Sequence, residues 1–305
     1  MTDRRIRGAA VVLAMLLAAF AAAVAATVFA DQQRWSRAVA HRRDQVQAQA
    51  LAVAGIQWSR QILHDDARAT VTDHLGEPWA LTLPPIPLDN GEIRGTIADA
   101  QARLNVNALG ATGTTTEAQR TWITRLFAQR GGPSAALDAI ADWIDANGVV
   151  RTNGAEDAYY SALPASGLAA NAPLVRSAEL VAVKGVAPQA LAAIVPFIAA
   201  LPAGTPVNVN TAPPEVLAAI VEQLSGEALG TLVAGRAQKP FTTIAEFRAR
   251  LPQGATLRSE GALAVKSEFF YVTVEARQGT TRARARALVR RNDADWPAVV
   301  WQVVE

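Results

Sequence analysis

The sequence predicts an α+β fold: one very long N-terminal helix packed on an antiparallel sheet, with a large all-α domain inserted into the chain of that sheet. Three observations predict it. Residues 9–30, AAVVLAMLLAAFAAAVAATVFA, contain no charge, proline or glycine, and residues 31–63 continue without a proline and with only Gly55 as a weak breaker. Within the second stretch Trp35, Val39, Val46, Ala50 and Val53 recur at helical spacing. Strand-like segments before residue 110 and after residue 259 then bracket a region of short helices punctuated by proline and glycine.

The first element follows from its charge pattern. MTDRRIRG places Arg4, Arg5 and Arg7 ahead of the apolar run, with Asp3 the acid among them. At a rise of about 1.5 Å per residue, a helix over 9–30 is roughly 30 Å long and crosses a bilayer core. The basic leader stays in the cytoplasm, so the chain from Asp31 onward is expected on the far side of the membrane. Ala23–Val24–Ala25 offers small residues for a signal-peptide cut, but no polar turn precedes it. The apolar run also exceeds the ~7–15 residues of a secretory signal core. A retained anchor running straight into an amphipathic helix is the simpler reading, and Trp35, Val39 and Val46 are its candidate contacts with partner helices.

Residues 74–92, HLGEPWALTLPPIPLDNGE, hold Pro78, Pro84, Pro85 and Pro87 and read as an extended loop. Residues 91–109 read as one or two strands, with Ile93 and Ile97 apolar in the first and Leu104 and Val106 in the second. Candidate helices follow at 116–130, 134–146, 177–184, 188–200, 213–224, 227–237 and 243–251. Ser134, Ser177 (with Glu179 close behind) and Thr211, ahead of Pro213–Pro214, are the expected caps. SEFFYVTVEARQGTTRARARALVRR then reads as a hairpin about Gln278–Gly279–Thr280. Phe270, Val272 and Val274 share one face of it, and Ala283, Ala285, Ala287 and Val289 alternate with Arg282, Arg284, Arg286 and Arg290. PAVVWQVVE is a last strand. The expected organisation is leader 1–8, hydrophobic helix 9–30, first part of the α+β head 31–110, inserted helical domain 111–258, and second part of the head 259–305.

Composition narrows the function. The chain of 305 residues is half hydrophobic and has no cysteine, so disulfides are excluded even outside the cytoplasm. A net charge of +2 does not argue for nucleic acid. His41, His64 and His74 lack metal-site spacing, and no serine or cysteine nucleophile motif is present, so an enzyme is not expected. The arginine row of the hairpin lines one strand face, either as a solvated surface or as a dock for an acidic partner.

One segment has the chemistry of a cation site. DWIDANGVVRTNGAEDAYY gathers Asp142, Asp145, Asn147, Glu156 and Asp157 among Gly148, Asn153 and Gly154. Calcium takes six to eight hard oxygens on a loop that can curl around it. Asp145–Ala146–Asn147–Gly148 resembles part of a calcium loop, and Glu156 fits its twelfth position, but Val149 at the fifth rules out an EF-hand. Asp142 reads as capping or solvating its own helix, and the alternative for the whole segment is a polar loop facing water.

A helix-hairpin-helix DNA-binding module is also suggested by VNVNTAPPEVLAAI and the residues after it. Such modules need a glycine-rich hairpin whose amides meet phosphate. Ile220–Val221–Glu222–Gln223 has no Gly-x-Gly, and Val183–Lys184–Gly185–Val186 has one glycine and one cation. A membrane-anchored, competence-type DNA-binding protein is therefore the weaker alternative.

A basic leader ending in Gly8, a hydrophobic helix and an α+β head together resemble the type IV pilin-like proteins. Among these, the chain resembles the type II secretion minor pseudopilins of the general secretion pathway protein K family. The residues that carry the match are Arg7–Gly8, DHLGEPWALTLPPIPLDNG at 73–91, IADAQARLNVNAL at 97–109, ADWIDANGVVRTNGAEDAYY at 141–160, ELVAVKGV and VNVNTAPPEVLAAI. The resemblance implies a type IV pilin-like fold, cleavage by prepilin peptidase between Gly8 and Ala9, and N-methylation of the new terminus. It implies calcium in the inserted domain, with ligand roles falling on Asp145, Asn147, Glu156 and Asp157. Leu13 occupies the fifth mature position, where pilins usually carry a glutamate, which fits a subunit at the filament tip. The partners implied are the I- and J-type minor pseudopilins and the major pseudopilin. The location implied is the bacterial inner membrane, single-pass, with the bulk of the chain in the periplasm. The role implied is to start or cap the pseudopilus that exports folded proteins across the outer membrane.

Overall fold

A computed structural model describes residues 3–82, 84–292 and 295–305, with side chains described from residue 10 onward. Helix α1 (Asp3–Ala69) is continuous through the apolar run and the amphipathic stretch, as the absence of proline requires. Its last third carries Ala48, Ala52, Ile56 and Leu63 at helical spacing, and this stripe is buried against the sheet. Gly55 belongs to the same contact. A Cβ there would meet a Val274 methyl at 2.6 Å, so glycine sets the close approach of helix to sheet rather than weakening the helix.

After α1 come a 3-10 turn (Pro78–Ala80), β1 (Ile86–Leu88) and β2 (Gly91–Asp99), so the proline-rich segment is less irregular than its composition predicts. The chain then leaves the sheet through β3 (Leu104–Asn105), α2 (Thr114–Gln129), α3 (Ala135–Ile144), α4 (Asp157–Ser161), α5 (Pro188–Ile194), β4 (Ile198–Ala199) and β5 (Val207–Asn208). It continues through α6 (Pro214–Ile220), α7 (Gly226–Gln238), α8 (Ile244–Ala249) and β6 (Leu263–Ala264). It rejoins the sheet as β7 (Phe269–Gln278), β8 (Thr281–Arg290) and β9 (Ala298–Val304).

The sheet order is β1-β2-β7-β8-β9, antiparallel throughout. Gly91 pairs with Gln278 and Asp99 with Phe270, so the two parts of the head meet strand to strand although the helical block separates them in the chain. Gly279, at φ +55°, forms the tight turn between β7 and β8. Phe270, Val272, Val274, Ala283, Ala285, Ala287 and Val289 pack beneath α1, matching the alternation in the sequence. On the other side Phe269 and Leu288 meet Ala199 and Leu201 of the block. The arginines of β8 are engaged across strands: Arg284 with Glu275, Arg286 with Glu305 and Arg290 with Glu268. The row is a solvated face on which Arg284, Arg286 and Arg290 are paired within the chain.

The block has its own core. Trp122, Ile123, Leu126 and Phe127 of α2 pack with Ile140 and Ile144 of α3, Val216, Leu217 and Ile220 of α6, and Phe241 and Phe247. The sequence predicts an all-helical domain over 111–258, but the block also contains strands. Two short parallel pairs, β3–β4 and β5–β6, run through it, and its buried cluster extends from Leu104 to Leu263. Buried asparagines next to these pairs hold the connecting backbone. Asn107 donates to the carbonyls of Leu174 and Leu201 and accepts from Leu174 N, while Asn210 closes a two-way bond with the backbone of Phe241. These amides satisfy buried backbone groups that a helix would have satisfied internally.

Three expected caps differ. Ser134 makes no capping bond; Glu179 instead reaches back to Arg176 N at the start of a 3-10 turn over Ser177–Ala182. Thr211 donates its hydroxyl to Asp99 at 2.6 Å instead of capping α6. Pro196 ends the expected 188–200 helix early, at Ile194, because proline offers no backbone donor.

Asp99 lies at the seam between head and block, and accepts from Gln101 N, Asn208 Nδ2, Thr211 Oγ1 and Ser267 Oγ. Burial pushes its carboxyl up from an ordinary 3.8 to about 6; the Ser267 and Thr211 bonds hold it down and the Asp73 charge raises it further. A carboxyl raised on folding contributes stability that is present in full below its unfolded value and lost as pH rises through its folded value. The full chain should therefore lose a component of melting temperature between about pH 4 and about pH 6. An Asp99→Asn variant should lack that component, so a wild-type-minus-variant difference that stays flat across the window contradicts the assignment.

Candidate functional site

The acidic segment is built by the end of α3, a loop, and the start of α4. Asp142, on the last turn of α3, is fully buried: Oδ1 accepts from Arg151 Nη1 at 2.5 Å and Oδ2 from Arg151 N at 3.1 Å. It neither caps nor solvates its helix. Asp145 ends α3; its Oδ1 accepts from Asn147 N and Nδ2, and its Oδ2 from the same Arg151 Nη1 at 2.5 Å. Gly154 sits against Asp142, and a Cβ there would fall 1.8 Å from Asp142 Oδ2, so the loop closes only over glycine.

Glu156 is the group that points to a ligand. It is 5% exposed, and both carboxylate oxygens are buried without a hydrogen-bond partner. Burial, followed by the charges of Asp142, Asp145 and Asp157, pushes its carboxyl up, with Arg151 opposing. Three acids therefore face one guanidinium, and Arg151 stands where further positive charge is wanted. Hard carboxylate oxygens with no thiol or imidazole fit calcium or a similar cation.

The four sequence-derived ligands do not all point the same way. Asn147 Oδ1 accepts from Val149 N, and Asp157 Oδ1 accepts from Ala169 N and Asn171 Nδ2, so these two order the loop. Asp145 and Glu156 face the cluster, joined by Asp142, which the sequence reading set aside. The missed signal is Asp142's position three residues before Asp145, one helical turn away on the same face.

Lys184 belongs to this region. Its Nζ donates to Gly154 O at 2.9 Å and lies 5.1 Å from the Tyr159 ring. In the other hairpin Glu222 bonds Arg125 and Arg258. The lysine of the first hairpin and the arginines beside the second are thus already engaged within the chain. His41 meets Thr281, His64 lies against the Trp296 ring, and His74 accepts from Gly76 N, so the three histidines do not converge.

The second functional surface is α1 itself. Residues 10–43 are exposed along their whole length, and α1 is long and apolar enough to cross a membrane. Trp35, Val39 and Val46 are 69%, 50% and 61% exposed. The Gly8–Ala9 junction falls within the helical backbone, but its side chains lie outside the described residues.

A long N-terminal helix on an antiparallel sheet, interrupted by a helical block, defines a pilin-like α+β protein with a single apolar N-terminal helix. Residues 102–203 and 207–266 match the family described as Type II secretion system (T2SS), protein K. The type II secretion system protein K of Klebsiella pneumoniae is 30% identical over 95% of this chain and 94% of that protein. The Pseudomonas aeruginosa protein of the same name is 31% identical over 90% and 86%. A chain of the crystallised GspK-GspI-GspJ complex from enterotoxigenic Escherichia coli shares the fold at a TM-score of 0.75 and 22% identity, covering 88% of this chain and 99% of that one. The chain belongs to the type II secretion system protein K family and is a minor pseudopilin, a structural component of that system.

Proposed function

We propose that this chain is cut between Gly8 and Ala9 by prepilin peptidase, N-methylated, and assembled with I- and J-type minor pseudopilins at the pseudopilus tip. There it starts or caps the filament beside the major pseudopilin and supports export of folded proteins across the outer membrane, without catalysing a reaction. The bulk of the chain lies in the periplasm and α1 anchors it in the inner membrane until assembly. The observation that carries this reading is that residues 10–43 are exposed along α1, while the Ala48–Ala52–Ile56–Leu63 stripe of its last third is seated on the sheet. A helix with that much bare apolar surface needs lipid or partner helices around it. Leu13 supplies no acid to pair with a neighbour's terminus, and the helical block adds bulk that hinders stacking above. In this proposal calcium is held in the block by Asp142, Asp145 and Glu156, with Asn147 and Asp157 shaping the loop. It would bind their like charges together and stiffen the loop.

The absence of cysteine makes the test clean. Single Val39→Cys or Val46→Cys variants, each bearing the chain's only thiol, should form disulfides with cysteines placed on the facing helices of the I- or J-type partners. Cross-linking only between copies of this chain would sink the tip-complex reading.

A further inference from the structure

A second buried cluster of acids, remote in sequence from the 142–157 loop, carries more negative charge than its own cation balances. Asp66 lies near the end of α1, and Asp73 and Glu77 lie in the loop after it; all three are more than nine-tenths buried. One carboxylate oxygen from each lies within 4.8 Å of the others. Arg291, 1% exposed, sits among them: Nη1 donates to Asp66 Oδ2 at 2.6 Å, and Nη2 to Asp73 Oδ1 and Oδ2 at 2.5 and 2.7 Å. Glu77 Oε2 accepts from His74 N and Trp79 Nε1, both at 2.8 Å, while its Oε1 is buried with no hydrogen-bond partner.

Three carboxylates face one guanidinium, which leaves two negative charges unmatched in a site shielded from water. An unpaired buried charge is costly, and a neutralising cation is one way to remove that cost. We propose that Asp66, Asp73 and Glu77 form a second site for a hard divalent cation of the calcium class, independent of the 142–157 loop. The charge count fits a divalent ion. The donors are carboxylate oxygens, and the neighbouring His74 ring already accepts from Gly76 N through Nδ1. Asp66 responds to the crowding: burial first, then the Glu77 charge, pushes its carboxyl up to about 6.

The position gives the ion a structural role. Asp73 is tied to the block through Asp73 N to Val265 O at 2.8 Å and through Ser267 N to its Oδ2 at 2.6 Å. Arg291 follows β8 directly. A cation here clamps the end of α1, the 73–79 loop and the end of β8 at the seam between head and block.

Terbium(III) tests this, because Trp79 is bonded to Glu77 and sits where it can sensitise the ion's luminescence. The full chain in detergent, carrying Asp142→Asn and Glu156→Gln to remove the loop site near Trp143, should still give tryptophan-sensitised emission that calcium displaces. Adding Glu77→Gln or Asp66→Asn should lower that emission at least tenfold, with near-ultraviolet circular dichroism checking that each variant is folded. Elemental analysis after equilibration with calcium should find about one equivalent bound to the Asp142→Asn/Glu156→Gln protein, a readout that leaves the cluster untouched. No bound calcium in that protein, or emission unchanged by Glu77→Gln, would overturn the proposal.

Discussion

An Arg291→Met variant should lose about 3–5 kcal/mol of folding stability, far more than a loss at any exposed arginine of β8. The reason is what is left behind. Arg291 is 1% exposed, bonds Asp66, Asp73 and the carbonyl of Ser267, and lies 4.5 Å from the Phe270 ring centre. Methionine can fill much of the space over Phe270, but Asp66 and Asp73 would then be buried without their partner. Burial already pushes both carboxyls up with the guanidinium present. Arg290, the next residue, is the control. Its pair with Glu268 is more than half exposed on both sides, and Arg290→Met should cost under about 1 kcal/mol. Calorimetry of the two full-length variants in the same detergent measures the difference, and equal losses would mean that the buried cluster is not what holds the seam.

Calcium should stabilise the chain, and the loop's share of that effect should depend on Glu156. A cation that binds only the folded state adds about 2.7 kcal/mol when present at 100 times its dissociation constant. In the loop it would meet the two unpartnered oxygens of Glu156 and relieve its repulsion with Asp142 and Asp145. Glu156→Ala should remove that share of the calcium-dependent rise in melting temperature, leaving at most the share that Glu77→Gln removes. Asp138→Asn, whose carboxylate only holds Asn153, should leave the rise intact. A chelator should abolish the rise in wild type. A rise of the same size in wild type and Glu156→Ala would contradict the loop site.

Much of this fold could be read from the sequence because its signals are periodic and local. The long helix follows from a stretch without proline, and the β7–β8 hairpin from strict alternation around Gly279. The block's helices were legible for the same reason, apart from α4, whose five residues are too few to show a period. What escaped depends on distant partners. Thr211 looked like a cap because its neighbours are prolines, whereas its hydroxyl belongs to Asp99 in the other part of the chain. Of the short parallel strands, β3 was legible at Leu104, whereas β4, β5 and β6 are two residues each and too short to show alternation. The site was half legible. Asp145 and Glu156 stood out by spacing, but Asp142 looked like an ordinary helix residue until its complete burial beneath Gly154 became visible. The 66–77 cluster was not legible, since its cation, Arg291, arrives from the end of β8.

On the proposed function, α1 begins as a processed pseudopilin helix and not as an ordinary signal or anchor. Intact-mass and N-terminal analysis of the chain, purified from cells with and without prepilin peptidase, tests it most directly. The expected result is a methylated terminus at Ala9 that requires the peptidase, with the uncut leader retained in its absence. A terminus near Ala26 that forms regardless of the peptidase would contradict it.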